Sequence, residues 1–228
     1  MKTNPKHQYG SAGDEIPVDF NDFAGVGKHR VLCKDIELMK GYPFAVRPDV
    51  VYVDPPWGSA LANGFREKAS LEMPQRTDYW NGFLPSLIRQ CNASKGAVFC
   101  EQGRNWANRT MMLFEAAGYH ITNVWQITYY KRDPAVLFRA IFHRNPDVGF
   151  DLDLNGMDDE HTPLAVLSRY PRGSIVYDPC TGRGGTAIAA HKQKCVFLGC
   201  ELNPRRLAVT LKELAILTGR KPIKYVKK

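Results

Sequence analysis

Short apolar runs alternate with longer amphipathic stretches along this chain of 228 residues. The short runs are rich in Val, Ile, Tyr and Phe and are apolar on both faces, which is typical of strands inside a parallel sheet. The longer stretches repeat apolar residues about every three to four positions, as helices do. Strands are therefore predicted at residues 29–35, 50–53, 96–103, 121–131, 137–144, 174–178 and 196–201, and helices at residues 79–94, 105–118, 162–171, 184–193 and 204–219.

This alternation predicts an α/β fold: a mostly parallel twisted sheet in a single domain, with helices on both faces. Residues 121–131 and 137–144 are predicted to pair as an antiparallel edge of that sheet. The domain is expected to span residues 29–228. Residues 1–28 are polar and Gly-rich, so they are expected to form a flexible N-terminal arm.

Composition and charge narrow the class of protein. The formal net charge is +8 and the pI is about 9.2, which favours a polyanionic partner. No apolar run is long enough to span a membrane, and the N-terminal residues lack the apolar segment of a secretory signal, so a cytoplasmic protein is expected. The six cysteines form no C-x-x-C pair, which argues against zinc and for small buried hydrophobic residues.

The run "VVYVDPPW" raises the first question about function. Two prolines cannot continue a sheet ladder, so the strand must end at Asp54. A turn explains Pro55 and Pro56, but it leaves the carboxylate and the ring of Trp57 unexplained. Because ligands of open α/β sheets bind at the carboxyl ends of strands, a binding role is the alternative to a simple turn.

A second constellation lies in "DPCTGRGGTAIAAHKQKCVFLGCELNPRR". Asp178 ends a strand, and Gly182 and Gly184 allow a tight turn that brings the backbone close to a ligand. The following helix directs its N-terminal N–H groups at that ligand, and Glu201 is placed to accept hydrogen bonds from ribose hydroxyls. No G-K-[ST] follows and Ala187 replaces the third glycine of G-x-G-x-x-G, so a nucleoside-type cofactor other than a dinucleotide is favoured.

These two motifs together resemble an S-adenosylmethionine-dependent amino-methyltransferase that acts on nucleic acid. The DPPW tetrapeptide precedes the cofactor motif by more than about a hundred residues, and this permuted order resembles the β group of DNA adenine N6-methyltransferases. The resemblance extends with gaps from about Val31 to Ala215. It implies a Rossmann-like methyltransferase fold and methyl transfer to an exocyclic amine, with no metal or covalent intermediate.

The resemblance also implies roles for individual residues. The residues that would hold the target amine are Asp54, Pro55, Pro56 and Trp57. The residues that would hold S-adenosylmethionine are Asp178, Pro179, Cys180, Gly182, Gly184, Glu201 and Asn203, with Asp35, Thr162 and Pro163 completing the pocket. An acid at the first position of the tetrapeptide favours adenine, because the cytosine-N4 relatives more often have Ser there.

DNA contacts are expected from basic residues near these motifs. Segment 58–78 has no clear period and is predicted to be a long recognition loop, with Arg66, Lys68 and Arg76 as candidate DNA contacts. Ordinary surface charge is the alternative for these three residues. Arg183, where the family usually has a small residue, would add a charge near the substrate. Segment 145–161 carries six acidic residues and no Lys or Arg, so it is poorly suited to contact DNA. It is expected to be a loop that is solvated or that binds a partner.

Two other functions are compatible with the sequence. DPPW also resembles the RNA adenosine methyltransferases, so RNA is an alternative substrate. A catalytically silent, methyltransferase-like subunit that binds nucleic acid is a third interpretation, although the retained Asp54 and Glu201 weigh against it. A homodimer or a partner subunit, and an origin in a virus or mobile element, also remain open.

Overall fold

The computed structural model describes residues 22–69 and 77–225. The strands are β1 (Phe23–Val26), β2 (His29–Cys33), β3 (Val50–Val53), β4 (Ala97–Gly103), β5 (Tyr119–Tyr129), β6 (Asp133–Phe142), β7 (Ile175–Asp178), β8 (Val196–Glu201) and β9 (Ile223–Tyr225). The helices are α1 (Ser59–Lys68), α2 (Leu84–Cys91), α3 (Arg104–Ala116), α4 (Thr162–Leu167), α5 (Gly185–Lys192) and α6 (Pro204–Thr218). A 3₁₀ turn (Ile36–Leu38) follows β2, and a π-helical turn (Tyr79–Phe83) leads into α2.

The strands of the described residues form one sheet in the order β5-β6-β4-β3-β7-β8-β2-β1-β9. The five central strands, from β4 to β2, run parallel to one another. Strands β6 and β5 continue the sheet antiparallel at one side, and β1 and β9 do so at the other. The predicted α/β fold is therefore confirmed, and the sheet has two antiparallel edges where the sequence indicated one.

Side chains alternate strictly between the two faces of the central strands. Along β3, Val50 and Tyr52 point into the core that contains α4, α5 and α6, while Val51 and Val53 point into the core with α2 and α3. All four residues are buried. This is why the strand reads as continuously apolar, as expected for a parallel strand covered on both faces.

Two segments differ from the sequence predictions. The predicted arm does not extend to residue 28, because Phe23–Val26 pair with β2 through a tight turn at Gly27, which has φ +58°. Residues 1–21 of the arm lie outside the described residues. The predicted loop 58–78 contains helix α1, whose start follows directly from the end of the DPPW turn, and residues 70–76 lie outside the described residues.

Residues 155–159 of the acidic segment 145–161 lie along the outer strand β5. The backbone N–H of Gln126 donates to Asn155, that of Thr128 donates to Met157, and that of Tyr130 donates to Asp159. These bonds satisfy backbone groups of β5 that an open edge would expose. Among the described residues, no helix is long and apolar enough to cross a membrane.

Candidate active site

Strands β3 and β7 are neighbours, but the chain leaves them in opposite directions. β3 is followed by β4 on one side, and β7 is followed by β8 on the other. Such a switch point leaves a crevice at the carboxyl ends of the strands, which is where open α/β sheets bind ligands. A cavity of about 550 Å³ lies there. Its size suits a small-molecule site.

The cavity brings together most of the residues predicted from the two motifs. The predicted residues that line it are Asp35, Asp54, Pro55, Pro56, Trp57, Arg66, Pro163, Asp178, Pro179, Cys180, Gly182, Arg183 and Glu201. The two motifs are separated by more than a hundred residues in the chain, and the parallel pairing of β3 with β7 unites them. Within the described residues, no cluster of potential metal ligands is present.

The carboxylate of Asp54 is held by two aromatic donors. The Trp57 indole N–H donates to Oδ1 of Asp54 at 3.2 Å, and the Tyr129 hydroxyl hydrogen-bonds to the same carboxylate. Burial raises the pKa of Asp54 to about 7, and the two hydrogen bonds oppose that rise. Because both donors fix its orientation, Asp54 presents its remaining acceptor sites to the cavity in a defined direction.

Aromatic side chains form one wall of the cavity next to Asp54. The rings of Trp57 and Tyr129 lie 4.6 Å apart between centroids. Gly103 makes room for this wall, because a Cβ atom there would lie 2.8 Å from the Trp57 ring. Tyr130 is exposed beside Tyr129, at the tip of the β5–β6 hairpin. A planar heterocycle entering the cavity therefore meets flat apolar surfaces.

The Gly-rich turn after β7 is hydrogen-bonded to Glu201, the last residue of β8. Oδ1 of Asp178 accepts the N–H of Cys180 at 2.8 Å, which shapes the turn. The N–H groups of Gly182 and Asn203 donate to the two carboxylate oxygens of Glu201, at 2.7 and 2.8 Å. These bonds orient Glu201, and each oxygen keeps a further lone pair for a ligand. Burial raises the pKa of Glu201, and that of Asp178 to about 7.

Three predicted cofactor residues do not line the cavity. Gly184 has φ +91°, and a Cβ atom there would lie 2.9 Å from Thr210 of α6, so it serves helix packing. Asn203 is the N-cap of α6 and accepts the N–H of Arg205 at 2.9 Å. Thr162 is fully buried and its hydroxyl donates to the carbonyl of Asp158 at 2.6 Å. These three residues lie behind the walls of the cavity and support them, and their predicted contact with a cofactor stays a prediction.

The basic residues predicted to contact DNA occupy different environments. Arg66 lines the cavity, where it pairs with the buried Asp35 at 2.6 Å, and it also pairs with Glu37, which does not line the cavity. Arg183 is exposed at the cavity. Lys68 is exposed at the end of α1 and does not line the cavity, and Arg76 lies outside the described residues.

Several residues of the cavity escaped the sequence analysis, among them four that are charged or hydrogen-bond to Asp54. Glu101 ends the apolar run of β4 just as Asp54 and Asp178 end theirs, and this position was a usable signal. Arg206 lies in the first turn of α6, shortly after Glu201, and also lines the cavity. Tyr129 and Asp159 come from the β5–β6 hairpin and the acidic segment, and no local pattern places them beside Asp54.

No protein-family model matches this sequence, and no curated protein matches it at a significant level. Solved structures do share its fold. The crystal structure of M1.HpyAVI has 14% identity and a TM-score of 0.56, covering 74% of this chain and 88% of its own. M1.HpyAVI has also been solved in complex with S-adenosylmethionine. TTHA0409 from Thermus thermophilus, a proposed DNA modification methylase, has 16% identity and a TM-score of 0.56, covering 83% of this chain and 95% of its own.

The PvuII DNA methyltransferase, which is cytosine-N4-specific, has 11% identity and a TM-score of 0.51, covering 89% of this chain and 98% of its own. At such identities the similarity establishes the fold. The chain described here therefore has the single-domain α/β fold of these solved structures.

Proposed function

We propose that this protein transfers a methyl group from S-adenosylmethionine to the N6 amine of adenine in DNA. The observation that carries the proposal is the meeting of two motifs in one cavity. The Asp54 carboxylate, at the end of β3, and the Gly-rich turn with Glu201, at the ends of β7 and β8, line the same 550 Å³ space. The target amine and the methyl group of the cofactor would therefore meet in this cavity.

The cavity residues fit this cofactor. Glu201 would accept its ribose hydroxyls, and the backbone of Gly182 would lie close to it, since that glycine lines the cavity with φ +59°. Asp54 and Asp178 give the cavity negative charge in a chain of net charge +8, which suits a cationic sulfonium. S-adenosylmethionine supplies an electrophilic methyl group with a good leaving group.

The residues of the DPPW turn would prepare the amine. The exocyclic nitrogen of adenine is a poor nucleophile, because its lone pair is delocalised into the ring. Asp54 would accept one amine hydrogen and the Pro55 carbonyl the other, which favours a pyramidal nitrogen with a directed lone pair. Trp57 and Tyr129 hold the Asp54 carboxylate in advance, so little reorganisation is needed when charge develops on the nitrogen.

The target base would have to leave a duplex to enter the cavity. Trp57 would then offer a stacking surface, worth about 1–3 kcal/mol per base. The tip of the β5–β6 hairpin exposes Tyr130, Lys131 and Arg132, and Arg183 is exposed at the cavity. Their charge suits the phosphates that flank an extruded base. Adenine is preferred to cytosine because of the acid at position 54, as in the DPPW enzymes that the sequence resembles.

The test is transfer of a labelled methyl group from S-adenosylmethionine to methylation-free plasmid DNA, with RNA as a parallel substrate. Asp54→Ala should abolish transfer and leave cofactor binding, measured by calorimetry, nearly intact. Asp151→Ala is the matched control, because Asp151 is 87% exposed, outside the cavity. Transfer by Asp54→Ala at the wild-type rate would refute the role of Asp54. If the protein methylates RNA and not DNA, RNA is the substrate and the proposal of DNA is refuted.

A further inference from the structure

Glu101 is a second carboxyl group beside Asp54 that the mechanism above does not use. It lies near the carboxyl end of β4, is 2% exposed and lines the cavity. β3 and β4 pair in parallel with Val53 opposite Cys100, so the register continued by one residue sets Asp54 opposite Glu101. Neighbouring strands lie about 4.8 Å apart, and both side chains lie on the face of Tyr52 and Phe99.

The two oxygens of Glu101 have different surroundings. The buried hydroxyl of Tyr52 donates a hydrogen bond to Oε1. Oε2 is buried and has no hydrogen-bond partner among the described residues. A buried polar atom without a partner is unfavourable, so Oε2 is suited to a ligand that enters the cavity.

Glu101 is the carboxyl group of this site that is best suited to stay protonated. Asp54 accepts bonds from Trp57 and Tyr129, and Asp178 accepts the N–H of Cys180 and the Thr186 hydroxyl. Within the part of the chain that the structure describes, Glu101 accepts a bond only from Tyr52, and it faces the charges of Asp54, Asp159 and Asp178. Burial and these like charges raise the pKa of Glu101 well above its usual range. Since the Tyr52 hydrogen occupies Oε1, the carboxyl proton belongs on Oε2.

We propose that Glu101 is a specificity-determining residue whose neutral carboxyl group donates a hydrogen bond from Oε2 to the ring nitrogen beside the target amine, N1 of adenine. This inference rests on the proposed function. Adenine presents an amine donor next to an unprotonated ring nitrogen, which matches an acceptor on Asp54 next to a donor on Glu101. Guanine and thymine carry an N–H at the corresponding ring position, so a donor would face a donor and both bases would be rejected.

The contact can be tested by changing one atom of the substrate. Oligonucleotides would carry a single target adenine, or 1-deazaadenine, in which a C–H replaces N1 and the amine remains. Wild-type protein should methylate 1-deazaadenine with a kcat/KM reduced about tenfold or more relative to adenine. Glu101→Leu should methylate adenine and 1-deazaadenine with the ratio that their intrinsic reactivities set. Glu101→Gln keeps a hydrogen-bond donor, so it should retain most of the wild-type preference for adenine over 1-deazaadenine. Comparing the ratio of kcat/KM for adenine to that for 1-deazaadenine between the three proteins measures the contribution of the Glu101 contact, because the intrinsic reactivity of each base is the same with every protein.

A substrate with 7-deazaadenine is the control, since N7 lies on the other edge of the base, and its ratio to adenine should be the same for all three proteins. Equal discrimination against 1-deazaadenine by wild type and Glu101→Leu would overturn the inference, as would a wild-type protein that does not discriminate. These outcomes leave the proposed function standing, because adenine is still methylated. A wild-type protein that binds S-adenosylmethionine and methylates no adenine would instead refute the proposed function, and this inference with it.

Discussion

The acid-rich cavity should make the folded protein less stable as the pH rises, and Asp178→Asn tests this most cleanly. Asp178 is 2% exposed, and burial raises its pKa from 3.8 to about 7. Between those two pH values the folded state binds a proton that the unfolded state has released. The folded state is therefore favoured at low pH, and this contribution is lost as the pH rises towards 7.

The magnitude follows from the width of that pH window. Each pH unit inside it costs about 1.4 kcal/mol. From pH 5 to pH 7 the titration of Asp178 therefore removes about 2 kcal/mol of stability from the wild type, and the last few tenths are lost above pH 7, because about half of the carboxyl groups are still protonated there. Asn does not titrate. The stability of Asp178→Asn relative to wild type should accordingly be about 2–3 kcal/mol more favourable at pH 8 than at pH 5.

The assay is urea denaturation of both proteins at the two pH values. Taking the difference between pH values cancels effects of the substitution that do not depend on pH, such as a weakened bond to the Cys180 N–H. Glu160→Gln is the matched control, because Glu160 is exposed, and its effect should change by less than about 0.5 kcal/mol between the two conditions. An Asp178→Asn effect that is equal at pH 5 and pH 8 would refute the reasoning.

Three further predictions concern the same walls. The pKa of Asp54 is about 7, so kcat/KM for methyl transfer should rise with pH through about 7, because a protonated Asp54 cannot accept the amine hydrogen; a flat profile from about pH 6 to pH 8 would contradict this. Gly184→Ala should lower the free energy of unfolding by about 2 kcal/mol, since φ is +91° and the new Cβ would press on Thr210, whereas Gly185→Ala has space and should be nearly neutral by the same urea assay. Arg66→Met should cost about 3 kcal/mol of stability by removing the partner of a buried carboxylate, and a loss below about 0.5 kcal/mol would show that the ion pair behaves as a surface pair.

The sequence predicted the features of the fold that depend on local pattern. Continuous apolar runs such as Val50–Val53 identified the central strands, because each is buried on both faces. Caps also agree: Asp78 accepts the N–H of Trp80 before the helical segment at 79–91, and Gly219 ends α6 in a left-handed conformation. Helix α1 was missed because "SALANGFREK" has a weak apolar face, and only Ala62 of it is buried.

The candidate site was predictable only where its residues follow a strand directly. Asp54 and Asp178 could be found in this way, and Glu101 ends the apolar run of β4 in a similar manner but has no recognised motif around it. Tyr129 reaches Asp54 through the pairing of β5 with β6, and Asp159 reaches the cavity because its segment binds along β5. These contacts join distant parts of the chain, so no window of the sequence contains them. The resemblance assigned Asn203 and Thr162 to the cofactor, and their hydrogen bonds to the backbone appear only in the folded geometry.

The most direct test of the account is to identify the methylated nucleoside. Methylation-free DNA would be incubated with the protein and S-adenosylmethionine, digested to nucleosides and analysed by mass spectrometry, with Asp54→Ala in parallel. The account predicts N6-methyldeoxyadenosine that depends on Asp54. N4-methyldeoxycytidine as the product, or no methylated nucleoside from a protein that binds the cofactor, would contradict it.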